Sequence, residues 1–185
     1  MIISTSHNFV FIRVPKTGST SAYRMLQEYH DPLTLDSKLN QHLTIDELNP
    51  RLHTGYKTCA FVRNPWDRLI SVHGHLVNRG MRVPLDNERW VNSLTAENIH
   101  KNVLTKPQHA FINDSTRVFR YEEFNQQIHE MFEYLELPKP ESVLHYNQTQ
   151  HMPDRKYLLG DVFVERVGEL YAKEIDMFDY SLPVY

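Results

Sequence analysis

Two short segments carry residue types that could handle phosphate. Residues 15–21 read PKTGSTS: one lysine, one glycine and four hydroxyl residues, Thr17, Ser19, Thr20 and Ser21. They follow an apolar run, NFVFIRV at 8–14, and lead into a stretch with helical spacing. The first N–H groups of a helix have no partner inside it, and the helix dipole makes that end positive. Lys16 adds a full charge there, so the turn reads as an anion cradle. The same residues would also make a capped helix start with a solvated lysine.

The second segment is RNPWDRLIS at 63–71, directly after the apolar run TCAFV at 58–62. The fork-shaped guanidinium of Arg63 and the hydroxyl of Ser71, eight residues on, can converge on one phosphate. Taken alone, Arg63 reads as an ion-pair partner and Ser71 as an incidental helix residue. Neither segment makes a nucleotide triphosphatase. The Walker A loop needs its lysine after a second glycine, whereas Lys16 precedes the only glycine of its loop. The second apolar run ends in Arg63, not in an aspartate that could hold magnesium. The pattern points to phosphate binding without a metal.

These segments need elements that hold them at one place. Residues 8–14, 58–62 and 116–119 read as strands, the first two apolar on both faces. Helical spacing covers 19–29, with Ala22, Met25, Leu26 and Tyr29 on one face. Thr44 and Glu47 have capping-box spacing, so a short helix is expected near 44–48. Asn64 and Pro65 open a helix to about residue 78. Further helices are expected over 122–135 and 162–178; 81–115 reads as loop-rich with weak helical patches and 141–160 as an irregular loop. The alternation predicts an α/β fold: a mostly parallel central sheet in a three-layer, P-loop-type sandwich. Ligands of such sheets bind at the carboxyl ends of the strands, where both segments stand.

The 185 residues fit one domain, 1–185, able to bury about 70% of its unfolded surface. A net charge of −3 argues against a nucleic-acid partner, and any basic site must be local. The single cysteine, Cys59, excludes an internal disulfide and reads as a small packing group in a buried strand. Mean hydropathy is −0.52, and the longest apolar runs are too short to span a membrane.

Taken together, PKTGSTS and VRNPWDRLIS resemble the sulfotransferases that use 3′-phosphoadenosine 5′-phosphosulfate (PAPS). The segment FRYEEF at 119–124 resembles that family's third-strand motif. Asn147, Gln148 and Thr149, and residues 170–180, resemble its C-terminal pattern. The likeness covers nearly the whole chain, is weak across 81–115, and points to the carbohydrate branch, such as heparan 2-O- and chondroitin 4-O-sulfotransferases and their microbial relatives.

The resemblance implies that Lys16, Thr17, Gly18, Ser19 and Thr20 hold the 5′-phosphosulfate. It implies that Arg63 and Ser71 hold the 3′-phosphate and that Lys16 stabilises the leaving phosphate oxygen. PAP would be the product, no metal would be required, and the acceptor would be a hydroxyl, on a sugar by analogy with the branch. The base should be a histidine or a glutamate near the strand ends. His42 is the choice among 11 histidines, with His53 and Glu28 in reserve. Tyr121 and Trp66 are candidates for the adenine, though both could be core residues, and Arg155 and Lys156 are candidates for the 3′-phosphate. His73 and His75 stand two apart on a helix and face different sides. The rival readings are an inactive member that binds PAP or an anionic glycan, and a small P-loop kinase. With no leader or anchor visible, a cytoplasmic microbial or viral enzyme is expected, and no membrane partner.

Overall fold

The computed structural model describes residues 1–31, 41–146 and 159–184. These group into two compact units, Met1–Val62 with Gln108–Gln148, and Arg63–Pro107 with Thr149–Tyr185.

The first unit is built on a sheet of four strands in the order β1 (Ile2–Ser4), β2 (Phe9–Ile12), β3 (Lys57–Val62) and β4 (Thr116–Arg120). β2, β3 and β4 run parallel, and β1 is antiparallel to β2. The fold class is α/β with a mostly parallel sheet, as the alternation of elements leads one to expect. Side chains alternate across a strand, so Phe9, Phe11, Cys59, Phe61 and Phe119 share one face. That face packs against α1 (Ser19–Leu26) through Ala22, Met25 and Leu26, and against α5 (Phe124–Tyr134) through Phe124, Ile128, Met131 and Phe132. The ring centroids of Phe61 and Phe124 are 4.9 Å apart, close enough to contribute about 1 kcal/mol beyond area burial. On the opposite face Val10, Ile12, Ala60 and Val62 are also closed to solvent. A strand buried on both faces must read as a continuous apolar run, which is how 58–62 reads.

Two local expectations need correction. Residues 44–48 form a turn, not a helix. The capping-box bonds form all the same: Thr44 N donates to Glu47 Oε2 at 2.8 Å and Glu47 N to Thr44 Oγ1 at 3.3 Å. The first strand is shorter than 8–14, and the short β1 precedes it.

The second unit carries α2 (Pro65–Asn78), α3 (Asn87–Asn92), α4 (Asn98–Lys101), α6 (Asp161–Leu170) and α7 (Ala172–Met177). α2 begins as its sequence dictates. Pro65 occupies the first helical position, and the Asn64 side chain accepts from Trp66 N at 3.2 Å. Trp66, Leu69, Ile70, Val72 and Leu76 of α2 join Trp90, Phe163, Val167 and Tyr171 in one apolar cluster. Within this unit Arg68 is fully buried. It donates to the carbonyls of Leu104 and Lys106, both at 3.1 Å, and lies 3.9 Å from Glu174. The helix expected over 162–178 is two helices that break at Tyr171, whose hydroxyl donates to Thr105 O at 2.6 Å.

Candidate active site

Because β2, β3 and β4 are parallel, Ile12, Val62 and Arg120 end on the same edge of the sheet. The loop between β2 and α1 leaves from that edge. Lys16 and Gly18 both take left-handed backbone angles, φ 67° and 74°. Glycine reaches this region freely, whereas a lysine there costs roughly 1 kcal/mol, the kind of local strain that collects at functional sites. Gly18 has a second constraint: a Cβ on it would stand 2.7 Å from Tyr121 Cδ2.

Two hydroxyls hold the loop closed on itself. Thr17 Oγ1 and Ser19 Oγ both donate to the carbonyl of Val14, at 2.9 and 2.7 Å. Their hydrogens are therefore engaged by the backbone, which differs from the expectation that Ser19 offers its hydroxyl to an anion. Thr20 is different. Its oxygen accepts from Arg13 Nη2 at 3.5 Å, so its own hydrogen can be donated elsewhere.

Behind the loop, α1 starts with no side-chain cap. Ser21 N and Ala22 N bond to Gly18 O. The amides of Ser19 and Thr20 belong to the first turn, where no carbonyl of the helix can reach. α2 by contrast caps itself with Asn64. The uncapped turn, the left-handed lysine beside it and the helix dipole together are the donor set, mostly backbone, that an anion would need. An anionic phosphosulfate group fits that donor set.

His42 stands at the same corner. Its Nδ1 lies 2.6 Å from the carbonyl oxygen of Arg13. A carbonyl can only accept, so Nδ1 carries the hydrogen and Nε2 of the neutral ring carries a lone pair. Burial pushes the His42 pKa below its ordinary value, the bond to Arg13 O opposes this, and the positive charges of Arg13 and the Met1 amino group add to the depression. The ring is thus held in the form a general base requires.

Arg13 itself was visible in the sequence only as the one charge in an apolar run. It is 8% exposed, and its Nε is buried with no hydrogen-bond acceptor among the described residues. The guanidinium lies 4.3 Å over the Tyr23 ring and reaches Gln41 Oε1 at 3.4 Å.

The remaining expected residues fall as follows. Lys16, Thr17, Gly18, Ser19, Thr20 and His42 belong to the first unit, and Arg63 and Ser71 to the second. Arg63 follows β3 directly and is buried, while Ser71 is half-buried on α2. His53 is half-buried. Glu28 is exposed in the 3-10 turn Gln27–Tyr29, at the far end of α1 from the loop, which removes it as a reserve base. Trp66 is a core residue whose indole donates to Val164 O at 3.0 Å. Tyr121 packs on the aromatic cluster beside Gly18. His73 is held by Pro84 O at 2.7 Å and stacks on Trp90. Cys59 is fully buried, and burial pushes its thiol far above the usual range. Asn147, Gln148, Thr149, Arg155 and Lys156 lie outside the described residues.

Among the described residues there is no cluster of three or more metal-ligating side chains, and no helix is long and apolar enough to cross a membrane. A family model described as "Sulfotransferase family" matches residues 1–181. No curated protein matches the chain.

Proposed function

The chain belongs to the sulfotransferase family, and from that premise we propose that it moves a sulfuryl group from PAPS to a hydroxyl of a carbohydrate. The observation that carries this reading is the uncapped first turn of α1 behind Lys16. PAPS, when bound, supplies a sulfuryl group already attached to a good leaving phosphate. The amides of Ser19 and Thr20, the Thr20 hydroxyl and the Lys16 ammonium would hold the phosphosulfate end, as preorganised donors aimed at developing charge. Arg63 and Ser71 would take the 3′-phosphate, the roles their family motif implies.

His42 Nε2 accepts the proton of the acceptor hydroxyl as its oxygen bonds to sulfur. The bond from sulfur to the phosphate oxygen breaks, and its electron pair stays on that oxygen. Lys16 balances the charge that gathers there. The Thr17 and Ser19 hydroxyls hold the loop shape through Val14, which leaves the Ser19 amide for the anion. Incubation with sulfur-labelled PAPS and a panel of glycosaminoglycans tests this reading. Label should move to a polysaccharide, and His42→Ala should stop it. Release of PAP with no glycan labelled would redirect the acceptor, and neither product would overturn the reading.

A further inference from the structure

Among the described residues Arg13 has no carboxylate partner, and three of its groups reach toward the site. Its carbonyl holds His42 Nδ1 at 2.6 Å. Its Nη1 approaches Gln41, the neighbour of His42, and its Nη2 approaches Thr20 in the first turn of α1. Tyr23 supports the guanidinium from one side at 4.3 Å. One residue therefore touches both the segment that carries the base and the helix end that would hold the anion.

We propose that Arg13 is a positioning residue for His42: its carbonyl fixes which ring nitrogen is bare, and its guanidinium, held over Tyr23 between Gln41 and Thr20, ties the segment that carries His42 to the first turn of α1. This rests on the reading of His42 as the base. Among the described residues, the charged groups that act on the ring are Arg13 and the Met1 amino group. A cation beside a histidine disfavours a second one.

The experiment is nitrogen-15 NMR of the histidines, with His42 assigned by its loss in His42→Gln. In the wild type at pH 7, the shifts should report hydrogen on Nδ1 and a lone pair on Nε2. The opposite tautomer, or a doubly protonated ring, would overturn the proposal without any variant or turnover assay. In Arg13→Met the His42 titration midpoint should rise and the acid limb of turnover should rise with it, while Arg13→Lys should stay near wild type. A folded Arg13→Met with an unmoved midpoint, or one whose acceptor KM alone rises, would also overturn it. Turnover retained in His42→Ala would remove the base reading instead, and the tautomer would still be decided by the spectrum.

Discussion

Tyr121 Cδ2 lies 2.7 Å from the point where a Cβ on Gly18 would stand. The end of β4 thereby fixes the loop that leaves β2, and glycine at 18 is required twice, by space and by its φ of 74°. Gly18→Ala should destabilise the protein by about 2 kcal/mol, from left-handed strain plus overpacking. Urea unfolding reads this. Adding Tyr121→Ala should recover only the steric share, since the backbone strain remains.

His42→Ala should lower kcat by roughly 100-fold to 10,000-fold, the usual contribution of a positioned base. PAP affinity, measured by calorimetry, should not change, because the ring takes no part in holding the phosphates. Equal losses in both would place His42 in binding.

The pH profile follows from the direction of the His42 shift. Burial, against the bond to Arg13 O and with the charge of the Arg13 side chain, lowers its pKa from 6.5, so the ring stays neutral to lower pH than a free histidine. The acid limb of kcat/KM should therefore fall below pH 6.5. The unfolded chain binds this proton more readily than the folded one, so the same group makes stability fall as pH drops below 6.5. Rate and urea midpoint against pH check both.

Arg68→Met should cost about 3 kcal/mol. It strands the carbonyls of Leu104 and Lys106 and leaves the Glu174 carboxylate buried without its cation. Thermal unfolding measures the loss. A change within 0.5 kcal/mol, roughly the surface-mutation range, would contradict it.

The sequence displays its long-period features and hides its long-range ones. Asn64 and Pro65 mark the start of α2 because capping is local chemistry. β3 is legible because burial on both faces leaves a run of apolar letters. β1 is three residues, too short to show alternation. Thr44 and Glu47 form their capping box around a turn, since the two bonds need only four residues and no helix behind them. The break at Tyr171 leaves helical spacing intact, and the bond that accompanies it reaches back to Thr105. At the site, Lys16 and Gly18 are readable from type and spacing. The partners of His42 and Gly18 are not, because Arg13 is 29 residues from the first and Tyr121 is more than a hundred from the second.

Arg63→Ala should weaken PAP binding roughly tenfold to a hundredfold, as loss of a charge-assisted contact to phosphate does, without changing the fold of the first unit. Unchanged affinity would move the 3′-phosphate elsewhere.

The most direct measurement is a calorimetric titration of PAP into the wild type and into Lys16→Ala. Saturable one-to-one binding in the wild type, weakened at least tenfold in the variant, is the expected result. No binding heat or thermal shift at millimolar PAP, or equal affinity in both proteins, would contradict a phosphosulfate site at the first turn of α1.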